Sequence, residues 1–465
     1  MTTTNTSLDY AQHKDNHKLD HLPGTYGKPL IGHTFPFLMR PYDSLDAMYK
    51  THGPVSKASL TFQKMVVALG PEYIKLLTLD KDQVFSPSMG YDGPLGDFFA
   101  GGLLMRDFGE HKVHRRIMQS SFKKDAMRQY VLQMQPIIDT HLNSWDNTDE
   151  FLFYPKIKAL LLDVGAKIFC GLEMNGAETS QLNNAFLDMM SGTLALIRKD
   201  WPGLLYRRGM NGRRALETFF EQLVPEKRTS DGQDMASYFS KETDENGELF
   251  SEKVVAQHLI FLLLAAHDTT TSTLTMSAYL LAENQEWQDK LRAEAQALGG
   301  RPGYDDFGSN LPNIDNTFKE TLRLFPPVPQ LMRRTIRDIE LEGHHIPAHT
   351  LIQCSPLYTH RMEEYWTNPH DFDPDRFAPG REEHKQHPFL WAPFGGGAHK
   401  CIGMHFADML YKSALSELLC KYRFRFASPG QYPSKLQYFP FSKPTDAKTC
   451  MPAQIPKNGF LAANT

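Results

Sequence analysis

Residues 393–407 read Pro393-Phe394-Gly395-Gly396-Gly397-Ala398-His399-Lys400-Cys401-Ile402-Gly403-Met404-His405-Phe406-Ala407, and the fold turns on them. Three glycines shortly before a cysteine make a tight, open loop, and a helical pattern begins just after it. Such a loop turns backbone N–H groups toward the sulfur, and the following helix N-terminus adds positive potential. Both effects favour thiolate over thiol. A lone thiolate held this way suits axial ligation of a haem iron, where it pushes electron density toward the metal and favours O–O cleavage. Phe394 is placed to cover the sulfur and keep water from it. Two other readings stand beside this one. A lone cysteine is commonly a small buried apolar residue. His399, Cys401 and His405 would form a zinc site, but one without a second ligand pair.

The rest of the chain frames this loop. By length, 465 residues allow about three domains. The composition, 41% hydrophobic and 22% charged, is that of a globular protein with ample core. A net charge of −4 points neither to nucleic acid nor to an acidic membrane surface. Cys170, Cys354, Cys401, Cys420 and Cys450 are odd in number and scattered, which argues for a reducing compartment and against a disulfide framework. Met1 to Asp20 is polar and has no apolar core, so it reads as a mobile tail rather than a signal peptide or anchor. No other stretch is long and charge-free enough to span a bilayer. The expectation is a cytoplasmic protein with a tail at 1–20 and a single domain at 21–465.

Working outward, residues 21–37 are rich in Pro and Gly and read as an irregular entry. Ser56–Ala58 and Met65–Leu69 read as strands, Pro71–Leu79 as a helix, Phe85–Leu104 as a long functional loop and Glu110–Phe122 as a basic helix. Gln129–Val224 is helical throughout, and Pro225–Phe250 reads as a polar linker. Ser251–Ala282 is long, apolar and almost free of Gly and Pro, the best candidate for a central buried helix. Asn313–Phe325 is a helix stopped by Pro326-Pro327. Glu340–Gln353 reads as a small sheet, Phe372–Lys400 as irregular, and Met404–Tyr422 as a final helix.

Three constellations carry chemistry. Glu320 and Arg323 share a helix face among Leu322, Leu324 and Phe325. Buried, this pair needs more partners, and the planar guanidinium of Arg376 is a candidate; the alternative is an ordinary surface pair. Ala265-Ala266-His267-Asp268-Thr269-Thr270 sets an acid and an alcohol inside the apolar helix. Thr269, bonding back one turn, would open a local bulge that holds O2 and water, and Asp268 would relay protons from solvent. A solvated polar face is the competing reading. His111 and Arg115 share a face of the basic helix and suit a carboxylate such as a haem propionate. Arg333 or Arg334, assisted by His399, would hold a second one. An ordinary basic surface helix is the alternative.

Taken in order, these motifs resemble the cytochrome P450 superfamily over essentially the whole chain. Phe394-x-x-Gly397-x-x-x-Cys401-x-Gly403 is similar to its haem loop, Glu320-x-x-Arg323 to its structural pair, Ala265-x-x-Asp268-Thr269 to its oxygen-activation motif, and His111-x-x-x-Arg115 to its propionate-binding helix. The resemblance implies a mainly α, triangular-prism fold with a small β region. It also implies haem b with Cys401 as axial thiolate, use of O2, and a monooxygenase reaction on a lipophilic molecule. Ala266 stands where most members have Gly. His399 stands where many have Arg, and in this the loop is nearest to the sterol 14α-demethylase branch. With no appended redox domain, the chain looks like the soluble bacterial type, a monomer fed by a separate ferredoxin and ferredoxin reductase. Arg115, Arg116, Lys123, Lys124, His399 and Lys400 would form the docking patch.

The resemblance also outlines a substrate pocket whose wall includes Phe98, Leu103, Leu262, Ala266, Val328, Leu331 and Phe439. A steroid, terpenoid or fatty acid would suit it. Trp201, Leu204, Leu205 and Tyr206 beside Arg207 and Arg208 read as a mobile lid or as a segment that touches a membrane surface. Two other functions compete: a haem-thiolate peroxygenase or peroxide isomerase, and a non-catalytic haem-binding protein. The acid–alcohol pair at Asp268-Thr269 speaks against both.

Overall fold

The computed structural model describes residues 18–444 apart from 61–62, 146–151, 174–175, 196, 427–435 and 439–440. Most of the expected tail, Cys450 and Phe439 lie outside the described residues. Within them, Leu19, two residues before the boundary expected at residue 21, is fully buried and packs with Leu22, Val55 and Ile352.

Helices α1 (Thr34–Met39) and α2 (Pro41–His52) lead into strands β1 (Val55–Leu60) and β2 (Gln63–Ala68). Helix α3 (Pro71–Leu79) starts at a proline, whose missing N–H costs nothing there, and ends at Asp80 in the left-handed region. Strand β3 (Phe85–Ser86), α4 (Pro87–Tyr91), a π-helical turn at 92–96, α5 (Asp97–Phe99) and a 3-10 turn at 103–105 follow. The stretch Phe85–Leu104 is therefore not one irregular loop. Ser86 caps α4 by accepting from Met89 N–H, and Asp107 ties down both Ser86 and the Ser88 N–H.

Helices α6 (Phe108–Gln119), α7 (Lys124–Asn143), α8 (Phe153–Cys170), α9 (Ala177–Thr193) and α10 (Leu205–Thr229) come next. The expected linker after Val224 is also largely structured. Pro225 lies inside α10, and α11 (Met235–Ser240) is capped by Asp234. The central helix α12 (Glu252–Glu283) starts at Ser251, whose hydroxyl accepts from Val254 N–H, and it is buried on nearly every side. The sequence pattern had not marked α13 (Gln285–Ala297), a charged helix with only Gln288, Leu291 and Ala295 buried. Helix α14 (Pro312–Leu324) has a strongly apolar face.

Strands β4 (Leu331–Thr335), β5 (Ile339–Leu341), β6 (His344–Ile346) and β7 (Leu351–Cys354), the short α15 (Pro356–Thr359), α16 (Met404–Lys421), and β8 (Leu436–Gln437) with β9 (Lys443–Pro444) complete the set. The small sheet expected at 340–353 is divided. Strands β5 and β6 form a hairpin, while β7 joins a five-stranded sheet of order β1-β2-β7-β4-β3. Its β2–β7 pairing is parallel and the others antiparallel. The main core lies between α7, α8, α12 and α16, where Tyr130, Ile157, Leu274 and Leu415 are almost or wholly inaccessible.

Candidate active site

The Cys401 loop is held from three sides. Cys401 N–H donates to Phe394 O at 2.9 Å, and Lys400 N–H to Gly397 O at 3.2 Å. Gly395 and Gly397 have φ of +66° and +60°, where a side chain is strained. A Cβ on Gly397 would also lie 1.8 Å from Thr78 O, so the glycine lets the loop press on the end of α3. Behind it, Trp391 Nε1 donates to Lys319 O of α14 at 3.1 Å, and Phe394 packs against Trp391 and Phe318. Ala392 N–H donates to Nε2 of the fully buried His360 at 3.0 Å.

The same α14 carries the Glu320 network. Arg323 donates to both Glu320 oxygens, at 2.6 and 2.8 Å, and Arg376 Nε donates to Oε1 at 3.1 Å. Asp373 N–H adds a fourth bond at 2.9 Å, and Arg376 also pairs with Glu383 at 2.8 Å. Glu320, Arg323 and Arg376 are all 0% exposed, and Arg323 finds further acceptors in His360 O, Pro369 O and Asp371 O. The network is therefore buried and satisfied, and its place is under the loop rather than at the reacting centre.

Above the loop is a cavity of about 490 Å³ with mainly apolar walls. Phe394, His399, Cys401 and Gly403 line it from one side, and Leu262, Ala265, Ala266, Thr269, Thr270 and Thr273 from α12. Leu103, Val328 and Leu331 line it as well. Phe98 does not. Its ring lies between Gly192 of α9 and Gly209 of α10, where a Cβ on either would come within 2.8 Å of it, and it packs edge-on against Tyr206. Sequence reasoning missed Phe37 and Leu38 of α1 and Phe261, all on the wall, which also holds Tyr91 from the stretch Phe85–Leu104. Tyr91 accepts from Met332 N–H at 3.3 Å, a link across 241 residues that no local pattern announces.

His111, Arg115 and Arg333 gather at the cavity beside His399. His111 and His399 stack with centroids 3.6 Å apart. Burial, then Arg115 and Arg333, lower His111 to about 4, and burial, then His111 and the same two arginines, lower His399 to about 2, so both rings are neutral at pH 7. Of the two arginines offered for the second carboxylate, one stands on the cavity wall. Leu331, Met332 and Arg333 of β4 line the cavity, and Arg334 does not. Arg115 and His399 thus face inward. On the expected docking patch, Arg116, Lys123, Lys124 and Lys400 are exposed.

Cys401 opens into the cavity. Burial pushes its thiol above the ordinary range, against the backbone of Gly403 and the charges of Arg115 and Lys400. The Gly403 backbone and the two charges lower the cost of a thiolate there, and a bound metal cation would lower it further. A flat apolar macrocycle with two carboxylates fits this donor set. The sulfur would reach its metal, the aromatic and aliphatic walls its faces, and Arg115, Arg333, His111 and His399 its carboxylates.

On α12, Thr269 Oγ1 donates to Ala265 O at 2.7 Å, and Thr271, Thr273 and Thr275 bond back in the same way. The helix nonetheless runs continuously from Glu252 to Glu283, so the expected bulge is not present. Asp268 is 9% exposed, which removes the solvated-face reading. Its Oδ1 lies 3.1 Å from His267 Nδ1 and 3.5 Å from Lys158 Nζ of α8. Burial raises its pKa, but His267, Lys158 and Lys443 outweigh this and hold it at about 2. Lys158 is 22% exposed and so connects the acid to solvent.

The comparisons agree with this geometry. The family model for cytochrome P450 matches residues 22–448. A putative cytochrome P450 136 of Mycobacterium tuberculosis is 37% identical over 88% of this chain and 84% of its own. Taxane 10-beta-hydroxylase of Taxus cuspidata is 28% identical over 85% and 82%. Among solved structures, retinoic acid bound cyanobacterial CYP120A1 matches with a TM-score of 0.82 at 25% identity, over 91% of this chain and 97% of that one. A cysteine and a cluster of propionate-sized donors on one apolar cavity, inside this fold, place the chain in the cytochrome P450 family, as a monooxygenase that holds haem b through a cysteine thiolate.

Proposed function

We propose that this P450 uses Cys401 as its thiolate and inserts oxygen into a terpenoid-like lipophile of low polarity. A steroid or fatty acid is the next choice. The observation that carries the reading is Thr269 of α12 on the wall of the cavity that Cys401 also lines, with the buried Asp268 next to it in the helix and turned toward Lys158. Relatives named for a taxane and for bound retinoic acid support the terpenoid choice.

Haem, when bound, supplies the activation and reductive cleavage of O2. The chain supplies orientation and protons. Arg115 and Arg333 would hold the two carboxylate edges, and the apolar wall keeps bulk water out. Thr269, its own hydrogen committed to Ala265 O, keeps lone pairs free to accept from water in the cavity. Asp268 stays ionised at neutral pH, so it takes protons from the Lys158 side and passes them on rather than storing one. Exposed Arg116, Lys123, Lys124 and Lys400 would receive an acidic ferredoxin, which its reductase serves, and the setting would be cytoplasmic. The likeness to the sterol branch is confined to the haem loop and carries no substrate.

The test is spectral, then chemical. The reduced, CO-bound protein should absorb at the thiolate position. Spin-shift titrations with terpenes, steroids and fatty acids, followed by turnover under labelled O2 with ferredoxin and reductase, should yield one labelled oxygen per product. Turnover with peroxide alone and none with O2 would replace this reading by the peroxygenase one.

A further inference from the structure

Phe98 stands off the cavity wall, but its neighbours Leu95, Leu103 and Leu104 line it. The segment that carries them is tied to the protein in three separate places, and the ties differ from one leucine to the next. Its start is held by β4. Met332 N–H donates to the Tyr91 hydroxyl at 3.3 Å, and a Cβ on Gly90 would lie 2.8 Å from the Met332 backbone.

The middle of the segment is held by α9 and α10. A Cβ on Gly192 or on Gly209 would come within 2.8 Å of the Phe98 ring, and within 2.6 or 2.5 Å of the other glycine's Cα. Phe98, 0% exposed, therefore fills a slot that only two facing glycines leave open. Its ring meets Tyr206 edge-on at 5.6 Å and the Arg198 guanidinium at 5.7 Å. The backbone on either side is tied to the same helices. Arg198 and Tyr206 both donate to the Asp97 carboxylate at 2.9 Å. The buried Arg213 of α10 donates to Asp97 O at 2.8 Å and to Ala100 O at 3.4 Å.

The end of the segment is held by α12. Gly101 has φ of +79°, and a Cβ there would lie 2.0 Å from Gln257 Oε1; one on Gly102 would lie 2.8 Å from Phe261 Cβ. Arg106 Nε donates to Gly101 O at 2.9 Å. The chain thus passes from the α9–α10 slot to α12 through two successive glycines, the residues that transmit a displacement least stiffly. Leu95 lies before this joint, and Leu103 and Leu104 lie after it.

We propose that Phe98 is a positioning residue for the substrate. Seated between α9 and α10, it fixes where Leu95 stands on the wall, while α12 places Leu103 and Leu104 independently. Specificity for the bulk of a ligand is then set in part by a side chain that never touches it. The proposal rests on the cavity being the substrate site.

Affinities for imidazole and for clotrimazole, a bulky triarylmethyl imidazole, are read on the full-length holoprotein from the Soret shift. Phe98→Ala should weaken clotrimazole by about tenfold, the size of one lost leucine contact, and leave imidazole within about twofold. Phe98→Leu, which keeps part of the plug, should fall between. In a Leu95→Ala background Phe98→Ala should add little, because the leucine it positions is gone; in a Leu103→Ala background the two effects should add in full. Hydrogen exchange in Phe98→Ala should quicken over residues 95–100 and stay unchanged over 103–105. Phe98 variants that bind clotrimazole as wild type does would overturn the proposal. So would equal weakening of both azoles, full additivity with Leu95→Ala, or exchange that quickens over 103–105 as well, since each would make Phe98 a general support of the fold. Failure of oxygen insertion with these results intact would count against the monooxygenase substrate reading alone.

Discussion

Replacing Glu320 by alanine removes a carboxylate shared by two buried arginines. Four bonds go with it: two from Arg323 at 2.6 and 2.8 Å, one from Arg376 at 3.1 Å and one from Asp373 N–H at 2.9 Å. Both guanidinium groups are 0% exposed, so water cannot take over. Breaking a buried pair in this way costs about 3–5 kcal/mol. The remaining acceptors moderate the loss, since Arg323 keeps three carbonyls and Arg376 keeps Glu383. A loss of about 4 kcal/mol is the expected size. Against a usual domain stability of about 5–15 kcal/mol, that removes a quarter to most of it. Because α14 also supports Trp391 and Phe394, the damage should reach the Cys401 loop first. The assay is haem content per chain together with urea unfolding by circular dichroism, with Glu320→Gln as a same-size comparator. Expected are a low haem content, a much lower urea midpoint and near-normal turnover per remaining haem. A haem-replete Glu320→Ala protein with an unchanged midpoint would refute the argument that burial makes this network indispensable.

Cys401→Ser should lose both the thiolate CO band and turnover, and full turnover with O2 would remove Cys401 from its role. Thr269→Ala should retain substrate binding and divert electrons to hydrogen peroxide, whereas Asp268→Asn should slow turnover with coupling kept. NADH consumption, peroxide and product measured together separate the two, and wild-type coupling in Thr269→Ala would shift attention to Thr270. Gly397→Ala should lower haem content, since its Cβ meets Thr78 O at 1.8 Å and its φ is +60°; normal haem loading would show that the loop gives way there. His360 is depressed to about 3 by burial and then by Arg323 and Arg361. Unfolded, it titrates near 6.5, so its contribution is complete above about pH 6.5 and is lost as pH falls toward 3, by up to about 1.4 kcal/mol per unit. Urea midpoints of His360→Gln should therefore fall less steeply than wild type between about pH 6.5 and 4, and equal slopes would exclude His360 as the source.

The sequence by itself determined what near neighbours decide. Pro71 starts a helix, Pro326 stops one, and the unbroken apolar run 251–282 becomes the buried α12, because capping, proline and periodicity act over a few residues. The Cys401 loop and the Glu320–Arg323 pair were legible for the same reason. Only the tertiary structure decided the rest. It set Arg333, and not Arg334, on the cavity wall, and it withdrew Phe98 into the space left by Gly192 and Gly209. It brought Lys158 to Asp268 from a distant helix and set Tyr91 against Met332. It also raised the Cys401 thiol by burial, where local geometry alone favoured the thiolate. Each of these depends on which surfaces meet and how much water they exclude, and that is a property of packing between segments far apart in the chain, which no local pattern encodes.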